Sequence, residues 1–147
     1  MLDIHPTCNF TLSHNKDPMH KRILIIEDDK DISKVLEVVL SLNHFDVTGL
    51  NRTDDIIESI NKYKPDLILT DYLLSGMNGG KICQSVKSNE KTCHIPVVLI
   101  SAYHDLAVSL GNFGFDAFIP KPFDINKLVK TINDLLDQQN STPMTID

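Results

Sequence analysis

The chain of 147 residues has few cysteines, a deficit of basic residues and no long apolar run. Its three cysteines have no C-x-x-C spacing, which supports neither a disulfide framework nor a zinc site and predicts reduced thiols in the cytosol. The 14 Lys and Arg residues are outnumbered by 20 Asp and Glu residues, so direct nucleic-acid binding is not expected. Because no apolar run approaches the roughly 18 residues of a membrane span, and no basic segment precedes an apolar one at the start, we expect a cytoplasmic protein without a membrane partner.

One domain is expected, between two polar tails. Residues 1–20 show neither a helical nor a strand period, which is typical of a mobile N-terminal tail, and Met19 is a possible functional start. Residues 21–138 carry the regular patterns, and 139–147 form a polar C-terminal tail. The whole chain has a hydrophobic composition of 41%, which is enough for one core.

Strand-length apolar runs alternate with helical patterns five times along residues 21–138. The runs lie at 23–26, 45–49, 67–69, 96–101 and 115–119, and helical patterns follow each of them. We expect Thr53 to cap the second helix, and the fourth helix, at 104–112, is the weakest because glycines interrupt it. Repeated β-α units with right-handed crossovers predict an α/β fold: a doubly wound, five-stranded parallel sheet with helices on both faces.

Polar residues stand at the ends of four of these strands. Glu27 and Asp28 follow the first, Asp71 ends the third, Ser101 ends the fourth and Lys121 follows the fifth. In a doubly wound sheet the carboxyl ends of the strands meet at one edge, and this predicts a single site.

These residue types together favour phosphoryl chemistry. Asp28 and Asp71 offer the hard oxygen ligands that suit Mg²⁺. Asp71 is then a candidate nucleophile toward phosphorus, with Lys121 and the Ser101 hydroxyl binding the transferred oxygens. The product would be an acyl phosphate on Asp71.

Four motifs carry a resemblance to a known family. They are Ile-Ile-Glu-Asp-Asp at 25–29, Asp71 with Gly-Met-Asn-Gly at 76–79, Ser-Ala at 101–102 and Lys-Pro-Phe at 121–123. With these separations, residues 21–138 resemble the receiver domain of two-component response regulators. The resemblance implies a flavodoxin-like sheet in order 2-1-3-4-5 and phosphorylation of Asp71 by a histidine kinase or a histidine phosphotransfer protein. It also implies Mg²⁺ held by Asp28, Asp71 and the backbone carbonyl of Leu73, with Glu27 reaching the metal through water.

The same resemblance assigns further roles. Ser101 and Phe118 are expected to form the conformational switch, although Phe118 lacks the hydroxyl of a tyrosine, and the Lys121–Pro122 peptide bond is expected to be cis. Leu73 and Tyr103 occupy the two positions that flank the approach of a hydrolytic water. Neither side chain favours attack by that water, so we expect slow loss of phosphate.

Three functions are compatible with the sequence. The first is a single-domain regulator whose output is binding to an unknown downstream protein, because the few polar residues after 138 cannot build an effector domain. It would catalyse only its own phosphorylation and dephosphorylation. The second is a relay that passes phosphate on to a histidine. The third, a phosphohydrolase of the haloacid-dehalogenase type, is disfavoured because Leu73 stands where that family has a proton-transferring Asp. The chain also lacks the Ser/Thr/Gly-rich loop of a flavin site, so no organic cofactor is expected.

Overall fold

The computed structural model of the chain describes residues 20–74, 77–102 and 114–140. In chain order they form β1 (Arg22–Ile26), α1 (Lys30–Leu42), β2 (Asp46–Leu50), α2 (Ile56–Tyr63), β3 (Leu67–Asp71), β4 (Leu73–Leu74), β5 (Met77–Asn78), α3 (Gly79–Lys87), β6 (Val97–Ser101), β7 (Ala117–Pro120) and α4 (Ile125–Asn140). Tyr103, the helix expected at 104–112 and nearly all of both tails lie outside the described residues. Helix α4 continues two residues past the expected domain end at 138.

The central sheet has five parallel strands in the order β2-β1-β3-β6-β7. Counting the sheet strands alone, this is the expected order 2-1-3-4-5. The register sets Asp71 beside Ile100 and Ser101 beside Pro120, so the strand ends that carry the polar residues are aligned. Strands β4 and β5, each of two residues, pair antiparallel after β3, and the sequence pattern did not predict this pairing.

The inner strands are apolar on both sides because helices cover both faces of the sheet. On one face, α1 and α4 pack against side chains that include Ile25, Leu69 and Ile100. On the other face, α2 and α3 pack against Leu24, Ile68 and others. The doubly wound architecture is therefore confirmed.

Some local expectations need correction. Helix α2 is capped by Asp55, whose carboxylate accepts from the backbone N–H groups of Ile57 and Glu58, whereas Thr53 Oγ1 lies 2.7 Å from Ser59 Oγ. The sequence pattern also predicts that Val35 shares the inward face of α1 with Leu36 and Leu40. Val35 is instead 48% exposed, because the buried stripe of that helix is narrow and centres on Leu36 and Leu40.

The cysteines differ from one another. Cys83 is a free thiol in the core, and burial raises its pKa to about 12, which keeps the thiol protonated and unreactive. Cys93 is disulfide-bonded, so the expectation of uniformly reduced thiols is wrong. Among the helices described, none is both long and apolar enough to span a membrane.

Candidate functional site

The first wall of the site is the turn between β1 and α1. Glu27 is held there by its N–H, which donates to the Leu50 carbonyl at 3.0 Å, and the residue is only 1% exposed. Asp29 is the N-cap of α1, and its carboxylate accepts from the N–H groups of Asp31 and Ile32 at 2.9 and 3.1 Å. Capping therefore occupies Asp29, and of the three successive acids Glu27 and Asp28 are left for the site.

Asp71 ends β3 and is 8% exposed. The backbone of the next residue, Tyr72, is hydrogen-bonded to two other elements. Its N–H donates to the Ile100 carbonyl on β6 at 2.8 Å, and its carbonyl accepts from Gly79 N–H on α3 at 2.7 Å. The start of α3 thus lies directly against the acid-bearing strand end.

This approach is possible because residue 79 is glycine. A Cβ there would lie 2.9 Å from the Asp71 carbonyl carbon and 3.0 Å from Tyr72 Cα, and closer still to the Asp71 carbonyl oxygen. Real Cβ atoms do not tolerate such contacts with backbone. In the sequence Gly79 is part of the Gly-Met-Asn-Gly motif, and the motif alone does not indicate this close contact. Its position directly after the helix cap Asn78 is the local feature that distinguishes it from the other glycines.

Lys121 contacts acids on both sides of the site, Glu27 in the turn after β1 and Asp71 at the end of β3. Its peptide bond to Pro122 is cis, as expected, and its N–H donates to the Ser101 carbonyl at 2.9 Å. Its side chain is 16% exposed, and Nζ lies 3.1 Å from both Glu27 Oε1 and Asp71 Oδ2. One ammonium group therefore pairs with two buried carboxylates, one in the turn after β1 and one at the end of β3.

The carboxylates of Glu27, Asp28 and Asp71 form one cluster, with an oxygen atom of each within 4.8 Å of the others. Burial is the main cause that raises the pKa of Glu27, the nearby Asp71 charge raises it further, and bonds from Asp29 N–H and Lys121 oppose this. Burial alone would lower the pKa of Lys121, but its hydrogen bonds to Asp71 and Glu27 outweigh that effect and raise it. Lys121 consequently stays a cation at neutral pH.

Three residues with expected roles in switching and water access lie on other elements of the fold. Ser101 is 2% exposed at the end of β6, and its backbone is bonded to Lys121. Phe118 is half-buried on β7, and its ring centroid lies 6.3 Å from that of Phe115. Leu73 lies in the β4–β5 hairpin with 45% exposure. The structure thus brings Glu27, Asp28, Asp71 and Lys121 into one site, whereas Tyr103 is outside the described residues.

The donor set fits Mg²⁺. Clustered carboxylate oxygens are hard ligands, and this ion binds through one or two carboxylates while it keeps several waters. Asp28 and Asp71 are the side chains that would hold it, with the backbone carbonyl of Leu73 as the expected third protein ligand. Bound there, Mg²⁺ would neutralise charge on the acids and on an incoming phosphoryl group.

A model of the response regulator receiver domain matches residues 23–133. The chain belongs to this family. It is 31% identical over 129 residues to the DNA-binding response regulator MtrA of Mycobacterium tuberculosis, an alignment that covers 86% of this chain and 55% of MtrA. The response regulator ArlR of Staphylococcus aureus is 31% identical over 121 residues, covering 80% of this chain and 53% of ArlR. The receiver therefore spans about half the length of the curated relatives it matches.

Solved structures agree with this assignment. The signal receiver domain of a signal transduction histidine kinase from Syntrophus aciditrophicus superimposes with a TM-score of 0.74 at 28% identity, over 86% of this chain and 98% of that one. A CheY-like receiver domain protein from Methanospirillum hungatei gives 0.72 at 26% identity, over 83% and 98%. Both the expected family and the expected fold are thus confirmed.

Proposed function

We propose that this receiver accepts a phosphoryl group on Asp71 from a histidine kinase or a histidine phosphotransfer protein. The observation that carries the proposal is the contact of Lys121 Nζ with Asp71 Oδ2 at 3.1 Å, beside the carboxylates of Glu27 and Asp28. A nucleophilic carboxylate, an adjacent fixed cation and acids able to hold a divalent metal are the parts that phosphoryl transfer requires.

In the proposed reaction, a carboxylate oxygen of Asp71 attacks the phosphorus of a phosphohistidine. The new O–P bond forms as the P–N bond breaks, and the electron pair leaves with the imidazole of the donor. In this proposal, Lys121 and the Ser101 hydroxyl bind the transferred oxygens, where negative charge concentrates. Asp71 is nearly buried, so these interactions act with little screening by water.

The proposed output is a change in affinity for a downstream protein, transmitted through Ser101 and Phe118. A cytoplasmic location and the absence of direct nucleic-acid or membrane contact remain predictions from the sequence; MtrA itself is a DNA-binding regulator. Leu73 is a hydrocarbon side chain at the position where a phosphohydrolase would need a proton donor, which argues against turnover of alcohol phosphates. Transfer of labelled phosphate from the receiver to a histidine phosphotransfer protein in a pulse-chase would instead indicate a relay.

The phosphorylation step is tested with a small phosphodonor, Mg²⁺ and intact-mass spectrometry. We expect the wild-type chain to gain one phosphoryl group and Asp71→Asn to gain none. Asp54→Asn is the matched control, because the Asp54 side chain is 85% exposed and pairs with Arg52 rather than with the site. Labelling of Asp71→Asn at the wild-type level would refute the assignment.

A further inference from the structure

The disulfide at Cys93 has a partner that the cysteine count identifies. The chain contains three cysteines, Cys8, Cys83 and Cys93. Cys83 is a free thiol, and Cys93 is disulfide-bonded. Within one chain this leaves Cys8, which lies outside the described residues, as the second cysteine of the bond.

Cys93 is held in a well-bonded turn between α3 and β6. Its N–H donates to the Asn89 carbonyl at 2.9 Å, and its carbonyl accepts from Lys87 Nζ at 3.2 Å. Lys87 Nζ also lies 2.8 Å from Asp116 Oδ2, which ties the turn to the residue before β7. Cys93 itself is partly exposed, and its Sγ lies at the surface, 3.7 Å from the Glu90 carbonyl oxygen. The turn is therefore a fixed attachment point that a reductant can reach.

The register of the sheet places this turn at the edge where the chain enters the domain. Leu24 on β1 is aligned with Ile68 on β3, and Ile68 is aligned with Val97 on β6. The starts of β1 and β6 are therefore two strand spacings apart, about 10 Å. Residues 9–20, when extended, reach about 40 Å, which is more than this gap requires. The bond therefore requires no change in the sheet.

We propose that the bond between Cys8 and Cys93 is a redox-sensitive tether that fastens the N-terminal tail to the edge where the parallel strands begin. With glutathione disulfide as the oxidant, the two protein thiols lose two protons and two electrons and form the S–S bond. The oxidant is reduced to two molecules of glutathione, and excess glutathione reverses the exchange. Asp71 lies at the opposite, carboxyl end of β3, so this inference goes beyond the proposed function and does not depend on it.

Tryptic mapping of the unreduced, alkylated monomer tests the pairing, because trypsin leaves each cysteine on a different peptide. These peptides cover residues 1–16, 82–87 and 92–127. After equilibration with glutathione disulfide, we expect the peptide of Cys8 joined to that of Cys93, with Cys83 alkylated. A joined pair that contains Cys83, a Cys8–Cys93 pair found only in dimers, or three alkylated thiols after oxidation would overturn the pairing.

The redox sensitivity is tested by the same map across a glutathione series. Between glutathione disulfide alone and an excess of reduced glutathione, the joined peptide should fall at least tenfold, because the Cys93 end of the bond is accessible. A joined peptide that persists in excess reduced glutathione would show a permanent structural bond and overturn the switch.

Thermal unfolding measures what the tether does to the fold. In the unfolded chain the bond closes a loop from residue 8 to residue 93, whereas in the folded protein the sheet already brings residues 22 and 93 to one edge. Closing the loop costs more entropy in the unfolded chain, so the oxidised wild type should melt about 5 °C above the reduced protein.

Two tail variants complete the thermal test. Cys8→Ser should melt at the same temperature with and without reductant, because it cannot form the bond. Thr7→Ser is the matched control, since it changes the neighbouring residue, keeps both thiols and should respond to reductant like wild type. Equal melting of oxidised and reduced wild type, or a response to reductant in Cys8→Ser, would show that this bond does not tether the tail.

Discussion

Replacing Gly79 with Ala tests how tightly the start of α3 packs against the acid-bearing strand end. The added Cβ would meet backbone atoms of Asp71 and Tyr72 at or inside 3.0 Å, and backbone cannot rotate away as a side chain can. Overpacking of this kind costs about 3 kcal/mol, and the better helix propensity of Ala returns at most about 1 kcal/mol. The net loss of about 2 kcal/mol in unfolding free energy should lower Tm by about 5–10 °C.

The matched control is Gly49→Ala on β2. Its Cβ would meet the far end of the Glu37 side chain and Ser33 Oγ, and the Glu37 carboxylate can move toward solvent. We expect Gly49→Ala to stay within about 1 kcal/mol of wild type. Urea unfolding followed by circular dichroism measures both variants, and mass spectrometry measures phosphorylation of Asp71, which should fall in Gly79→Ala because the Gly79 N–H to Tyr72 carbonyl bond is disturbed. If Gly79→Ala is as stable as Gly49→Ala and is phosphorylated normally, the packing argument is wrong.

Two further predictions concern α2 and the lifetime of the phosphorylated state. Asp55→Ala should cost about 1 kcal/mol because it removes the cap of α2, whereas Asp54→Ala should be nearly neutral, and equal losses in chemical denaturation would contradict the assignment of the cap. Loss of phosphate from Asp71 should be slow for the family, and the double substitution Leu73→Asn with Tyr103→Glu should accelerate it several-fold by offering groups that orient water. An unchanged or slower decay, followed by mass spectrometry over time, would show that these two positions do not govern hydrolysis.

Much of the fold was predictable because the inner strands carry a simple signal. Leu67, Ile68 and Leu69 are consecutive apolar residues, and each is fully buried because helices cover both faces of β3. The sequence was less informative where several neighbouring residues can fill the same structural role. Thr53, Asp54 and Asp55 are all capable of capping α2, and only the backbone path into the helix decides that Asp55 does so. Strands β4 and β5 have two residues each, too few for a strand period to be visible in the sequence.

In the site, the positions of the functional residues were predictable from the sequence, whereas their side-chain contacts were not. The positions of Glu27, Asp28, Asp71 and Lys121 at strand ends follow from the sequence, since parallel strands deliver their carboxyl ends to one edge. Because Asp28 and Asp71 suit Mg²⁺, the sequence also predicts a cation at that edge. What could not be predicted is that the chain supplies one itself, because the reach of the Lys121 side chain to Glu27 and Asp71 depends on the register of β6 with β7 and on the packing around both acids. An acidic cluster in a sequence therefore indicates that compensating positive charge is needed. Only the side-chain geometry shows that Lys121 provides part of this charge without a metal.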